Sequence, residues 1–193
     1  MIEEAELEDV GSGLAPVSPG WFVVNAADAA WVRNDAFGNR CVFESSDRVL
    51  MDQPGVEPQL FTQTGFTLAV LEPGKPSGLY HREANQEDFL VLSGECVLLV
   101  EGEERRLRAW DFFHCPAGTD HILVGGGDGP CVVFMAGARV GWPEKGIVYP
   151  RSDVARRHGA GVETETSVPA EAYAPFPKWQ PGPPAHWLGL PWG

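Results

Sequence analysis

The feature that most constrains the fold of this chain is a series of short apolar runs between residues 65 and 136, each closed by a turn. Glycine or proline occurs at most of these turns, and Val, Ile, Leu and Phe fill the runs between them. Short runs of this composition, spaced by turn residues, are typical of strands in an antiparallel sandwich or barrel. The predicted strands cover residues 65–71, 79–83, 87–92, 96–100, 105–108, 112–115, 121–124 and 131–136.

The segments on either side of this core differ from it in composition. Residues 1–20 are rich in Glu and Asp and predict a flexible acidic leader, while residues 21–24 predict a first strand. Residues 21–140 are therefore assigned to the barrel with its N-terminal strands. Residues 141–193 predict a short helix over 152–157, followed by a Pro-rich arm. We expect the tryptophans of that arm to anchor it on the barrel or on a partner subunit; they are Trp179, Trp187 and Trp192.

Charge and hydropathy exclude two classes of partner. The formal net charge is −13, and no basic stripe is present that could replace phosphate counterions, so we expect no nucleic-acid partner. No apolar run reaches the length that crosses a bilayer, and the acidic start does not resemble a signal peptide. The sequence thus predicts a cytoplasmic protein without a membrane partner.

Four residues with metal-ligating side chains are expected to converge at one end of the sheet. His81 and Glu83 are two apart, so in a strand they project from the same face. Residues 84–86 can reverse the chain and bring Glu87 beside them, and His121 follows a Pro-containing turn that starts a later strand. Imidazole and carboxylate are the usual ligands of Fe, Mn, Ni or Zn, so the pattern predicts one divalent transition metal.

Two motifs in this region resemble those of the cupin superfamily. The first is Gly78-x-x-His81-x-Glu83-x-x-x-Glu87-x₆-Gly94, and the second is Asp111-x₄-Pro116-x-Gly118-x-x-His121. The resemblance covers about residues 65–136. It implies an all-β, antiparallel double-stranded β-helix (a jelly-roll barrel), a metal held by His81, Glu87 and His121, and pairing of barrels into dimers.

The chain departs from the cupin pattern at three positions. Glu83 stands where the family has a second histidine, Trp110 where it has a glycine, and Gly125 where it has an asparagine. With two carboxylates and two imidazoles, a divalent ion leaves a formally neutral site, whereas the usual three-histidine set leaves +1. A neutral site attracts an anion less well, so the sequence predicts a small, polar, roughly neutral substrate.

Several interpretations of the site stay open from sequence. The first is a small metalloenzyme of the oxygenase or isomerase type, with Glu83 as a catalytic base. A second is a non-catalytic barrel that binds or senses a small molecule, and a third is a structural dimer with a vestigial site. In a metal-free barrel, Glu83 and Glu87 would crowd each other and one would hold a proton. A homodimer is expected in each case, because two-fold pairing is the commonest closed assembly.

Overall fold

The computed structural model describes residues 1–44, 61–141, 146–184 and 189–192. Its strands are β1 (Leu7–Asp9), β2 (Leu14–Pro16), β3 (Trp31–Arg33), β4 (Asn39–Val42), β5 (Thr64–Leu71), β6 (Arg82–Glu83), β7 (Glu87–Ser93), β8 (Glu95–Val100), β9 (Glu103–Arg108), β10 (Phe112–Cys115), β11 (His121–Gly125), β12 (Cys131–Ala138), β13 (Ile147–Val148) and β14 (Gln180–Pro181). The helices described are α1 (Asp153–Arg157) and α2 (Pro169–Ala172). The antiparallel all-β prediction is confirmed.

Two sheets face each other and enclose the main core. Within the described residues, the larger sheet has seven strands in the order β10-β7-β12-β5-β4-β3-β14, and the smaller has three in the order β11-β8-β9. Because side chains alternate along a strand, one face of β5 supplies Ala69 and Leu71 to the space between the sheets. Leu98 of β8 and Leu123 of β11 meet them from the smaller sheet. The core therefore fills the barrel, and polar groups are left to its open end.

The outer faces of both sheets are also covered, which explains why β5 is buried along most of its length. Leu68 and Val70, on the other face of β5, pack with Trp31 and with Leu190 of the C-terminal arm. On the smaller sheet, Ile122 packs against helix α1 and the residues after it. The arm thus lies against the barrel. The ring centroid of Trp192 in the arm is 5.4 Å from that of Trp31. Trp187 lies outside the described residues.

The flanking segments differ in part from the sequence predictions. The leader predicted over residues 1–20 contains the antiparallel hairpin of β1 and β2, in which Ala15 is buried. The strand predicted at residues 21–24 is wrong, because only Trp21 forms a bridge, to Glu4, and Val23 is 81% exposed. The helix predicted at 152–157 is confirmed as α1, and the Ser152 side chain accepts a hydrogen bond from the Ala155 amide. No helix in the described ranges is long and apolar enough to span a bilayer.

Two positions of the cupin-like motifs, Gly94 and Trp110, lie in turns with a positive φ. Gly94 has φ +73°, and a Cβ there would lie 2.4 Å from the Pro130 carbonyl oxygen, so no larger residue fits. Trp110, which stands where the cupin motif has a glycine, also has a positive φ of 75°. The backbone at this position thus has the left-handed conformation that glycine adopts most easily, although the residue is a tryptophan.

Candidate metal centre

The two histidines of the motifs are joined through their backbones. The His81 amide donates to the His121 carbonyl oxygen at 3.1 Å, and the His121 amide donates to the His81 carbonyl oxygen at 2.8 Å. Directly paired residues of antiparallel strands project from the same face. The two imidazole rings accordingly lie side by side, with their centroids 4.9 Å apart.

Glu87 completes a three-residue cluster with these histidines. It begins β7, and its Oε2 atom lies 3.3 Å from Nε2 of His121 and 3.7 Å from Nε2 of His81. One ligand atom from each of the three residues lies within 4.8 Å of the others. Oε2 of Glu87 is buried and has no hydrogen-bond partner among the described residues. A buried carboxylate oxygen without a donor is costly, and a cation between these three atoms would satisfy it.

The hydrogen bonds of the two rings leave Nε2 directed at Glu87. Nδ1 of His81 lies 2.7 Å from the Leu79 carbonyl oxygen, and Nδ1 of His121 lies 3.0 Å from that of Thr119. Because a carbonyl oxygen can only accept, each Nδ1 carries the hydrogen. In the neutral ring, Nε2 then holds a lone pair, which is the arrangement that metal-ligating histidines use.

The charges of the cluster reinforce one another. Burial raises the pKa of the Glu87 carboxyl, but the imidazoles of His121 and His81 outweigh it and lower the pKa to about 2. Burial lowers the pKa of His121, but the contacts with Cys115 and Glu87 outweigh it and raise the pKa to about 10. Without a metal, the Glu87 carboxylate and the His121 imidazolium therefore form an ion pair at 3.3 Å that lacks hydrogen-bond geometry, so Oε2 of Glu87 still has no hydrogen-bond donor among the described residues.

Glu83 lies beside the cluster and not within it. Its Oε1 atom is 3.8 Å from Nε2 of His81, and the residue is not part of the three-residue group that could share one ion. Burial and the negative charge of Glu87 raise the pKa of the Glu83 carboxyl, against the lowering effect of the nearby histidines and Arg139. The structure thus brings His81, Glu87 and His121 together and places Glu83 at their edge, where it lines a cavity.

That cavity, of about 760 Å³, extends from the cluster to the C-terminal arm. Arg40 of β4, Tyr149, and Tyr173 and Trp179 of the arm contribute to its wall. Local sequence patterns gave no signal for Arg40, Tyr149 or Tyr173, because each reaches the cavity through a long-range contact. Trp179 stood out in the sequence only as an aromatic anchor. Pockets of this size hold a whole small organic molecule.

Other residues near the motifs have structural roles. The Tyr80 hydroxyl accepts a hydrogen bond from the Gly102 amide, on the opposite side of the strand from the cavity. His114 is exposed and pairs with Asp88, so it does not act with its neighbour Cys115. Cys115 is buried, and its Sγ lies 3.4 Å from Nδ1 of His121. This thiol is the contact behind His121 that sequence spacing alone did not predict.

The comparisons with known proteins agree with the fold. The cupin domain family matches residues 67–137. No curated protein matches the sequence. A putative sugar phosphate isomerase from Acidithiobacillus ferrooxidans is 26% identical over 57% of this chain and 63% of its own, somewhat under two thirds of its length, with a TM-score of 0.42.

Two further solved structures are similar to part of this chain. A cupin protein from Bacteroides fragilis is 20% identical over 42% of this chain and 70% of its own, with a TM-score of 0.39. A polyketide cyclase from Streptomyces resistomycificus is 13% identical over 62% of this chain and 80% of its own, with a TM-score of 0.49. Residues 67–137, which contain both motifs and lie in the observed double-sheet barrel, therefore match the cupin domain family.

Proposed function

We propose that this protein is a metal-dependent cupin enzyme that acts on a small organic molecule. The observation that carries the proposal is the buried, unpartnered Oε2 atom of Glu87, which lies within 3.7 Å of two histidine Nε2 atoms. These three atoms are the donor set of a divalent transition metal such as Fe, Mn, Ni or Zn. Their position on the wall of a cavity would give a substrate access to the ion.

We assign two roles to the residues of this site, namely metal binding and proton transfer. His81, Glu87 and His121 would hold the ion, which when bound supplies a Lewis acid for a carbonyl or hydroxyl oxygen of the substrate. Glu83 is not needed as a ligand, since it lies outside the three-residue group and is 31% exposed toward the cavity side of the cluster. We therefore assign to its carboxylate the transfer of a substrate proton, as a general base.

The metal is tested by emission spectrometry on the protein as purified and after addition of Fe, Mn, Ni or Zn. We expect close to one ion per chain in the wild type and loss of most of it in His121→Ala and Glu87→Gln. His114→Ala is the matched control, because this exposed histidine lies outside the cluster and its removal should leave the metal content unchanged. A wild type that takes up none of the four metals would refute the proposal.

The role of Glu83 separates an enzyme from a binding barrel. Glu83→Gln keeps the shape of the side chain and removes its ability to accept a proton, so we expect metal content to be retained and turnover to be lost. If Glu83→Gln loses the metal, Glu83 is a ligand and the base assignment is wrong. If neither form turns over any candidate substrate but both bind it, the protein is a non-catalytic binding barrel.

The assembly proposed with this function is a homodimer. Trp110 and Phe112, next to and within the edge strand β10, are 74% and 62% exposed, and such apolar surface is usually covered by a partner. Light scattering at micromolar concentration should therefore give twice the chain mass of 21.0 kDa. Trp110→Lys, which places a charge on this surface, should shift the mass toward that of the monomer; a monomeric wild type would contradict the proposal.

A further inference from the structure

Arg40, which lines the cavity, has a second buried side-chain atom without a partner among the described residues, and its charge is opposite to that of Glu87. Nε of Arg40 is buried and has no hydrogen-bond acceptor among the described residues. A guanidinium is always protonated, so this N–H is a donor at every relevant pH. A buried charged donor without an acceptor is strongly unfavourable, so the geometry points to an acceptor that the described chain does not provide.

The contacts of Arg40 hold the guanidinium in the cavity wall without neutralising it. One of its terminal nitrogens donates to the Ser77 carbonyl oxygen, and its central carbon lies 4.9 Å from the ring centroid of Trp179. No carboxylate of the described residues lies within ion-pair distance of it. Arg139, which lines the same cavity, differs in this respect because it pairs with the fully buried carboxylate of Glu44.

The Arg40 guanidinium and the three-residue cluster of His81, Glu87 and His121 line the same cavity. A Cβ on Gly78 would lie 3.0 Å from both the Arg40 terminal nitrogen and the Tyr173 hydroxyl, so these groups approach the backbone three residues before His81. The Tyr149 ring connects the two regions, at 5.7 Å from the Tyr173 ring and 6.0 Å from the His81 ring. A molecule bound in this cavity would therefore have both groups in its surrounding wall.

We propose that Arg40 is an anion-binding subsite, which takes a carboxylate or phosphate oxygen of a small organic anion whose other end reaches His81 and Glu87. The proposal deepens the proposed function, on which its second half rests. The sequence, with Glu83 counted as a fourth ligand, predicts a formally neutral metal site and a neutral substrate. Arg40 returns one positive charge to the cavity, and the aromatic rings of Tyr149, Tyr173 and Trp179 favour an apolar, planar body for the anion.

The subsite is tested on the full chain with benzoate, benzamide and inorganic phosphate as probes, after treatment with a chelator. Benzoate and benzamide have nearly the same shape and differ in charge. We expect benzoate to bind about tenfold or more tightly than benzamide, because a charge-assisted hydrogen bond replaces a neutral one. The side-chain Nε–H resonance of Arg40, assigned by its loss in Arg40→Lys, should shift on titration with benzoate.

Variants then locate the effect. Arg40→Met keeps an unbranched stem and should lower benzoate affinity about tenfold or more, with benzamide affinity unchanged. Arg105→Met is the matched control, because it removes the same charge from a side chain that is 66% exposed outside the cavity, and it should bind as the wild type does. Equal binding of benzoate and benzamide by the wild type, or an Arg40→Met variant equal to the wild type, would overturn the subsite.

Two measurements keep the outcomes separate. If Arg40→Met does not fold, as a thermal scan would show, the benzoate–benzamide difference on the wild type and on Arg40→Lys decides the question. Tighter binding of phosphate than of benzoate would assign the subsite to phosphate esters, and the reverse to carboxylates. A wild type that prefers benzoate yet takes up no metal would support the subsite and refute the metalloenzyme. A wild type that binds metal but does not distinguish benzoate from benzamide would support the metalloenzyme and refute the subsite.

Discussion

Metal uptake by this protein should be linked to the release of a proton from His121. The metal requires the lone pair on Nε2, and the contacts with Cys115 and Glu87 raise the pKa of His121 to about 10. At about pH 7 the imidazole is therefore protonated in the metal-free protein. Removing that proton at pH 7 costs about 4 kcal/mol, because each pKa unit above the ambient pH costs about 1.4 kcal/mol.

The sign of the pH dependence follows from this proton. Below the pKa of His121 each rise of one pH unit lowers the cost of deprotonation, so the apparent metal affinity should rise about tenfold per unit. Glu87 contributes no such dependence, since its pKa of about 2 leaves it ionised throughout. From about pH 6.5 to about pH 8.5 the contribution of His121 is therefore about a hundredfold in affinity.

Isothermal titration calorimetry with Mn(II) in two buffers of different ionisation enthalpy measures both the metal affinity and the number of protons released. The difference in observed enthalpy gives the protons released, and we expect about one per ion from His121 near pH 7.5. In Cys115→Ala, loss of the sulfur contact should lower the pKa of His121 and so tighten metal binding at this pH. An affinity that does not change with pH, with no proton released, would refute the reasoning.

Two further predictions concern stability. Gly118→Ala should lower the unfolding free energy by about 1 kcal/mol through backbone strain alone, because φ is +83° and no atom lies within 4 Å of a Cβ there. Gly94→Ala should lower it by about 2 kcal/mol or more, because its Cβ would also meet the Pro130 carbonyl oxygen. Glu44→Gln should cost about 3 kcal/mol or more, because it leaves the Arg139 guanidinium without its buried counter-charge. Urea unfolding of the three variants checks both; equal costs for the two glycine variants, or a Glu44→Gln variant as stable as the wild type, would contradict them.

The convergence of His81, Glu87 and His121 could be predicted because it depends on local rules. Alternation along strands and the short turn before Glu87 place the side chains on one face, and the structure shows their ligand atoms together. The same rules also predicted Glu83 as a fourth ligand, and this role stays a prediction. Two strand residues are about 6.6 Å apart along the chain, so a side chain on the same face as His81 need not reach the same point. Oε1 of Glu83 lies 3.8 Å from Nε2 of His81, about as far as Oε2 of Glu87, but Glu83 is outside the group whose ligand atoms all lie within 4.8 Å of one another.

The error at residues 21–24 has a related cause. Trp21 and Val23 have high strand propensity, but propensity measures how a side chain fits a half-buried sheet, not whether a partner strand is present. In the structure both side chains are exposed, and the only ladder contact described for this run is the bridge to Glu4. The runs between residues 64 and 138 form strands because each has a paired neighbour, as β8 has in β9 across a short turn and as β5 and β11 have in the more distant β12 and β8.

The wall that would recognise an anion lay beyond sequence reasoning for a different reason. Arg40 meets Trp179 across 139 positions of chain, and no spacing rule relates residues that far apart. Both also lie outside residues 67–137, where the cupin family matches. The motifs therefore position His81, Glu87 and His121 at one part of the cavity wall, while segments before and after residues 67–137 supply Arg40 and Trp179, which would contact the rest of a substrate. Proteins that share the motifs but lack these segments would hold the same kind of ion and select different molecules.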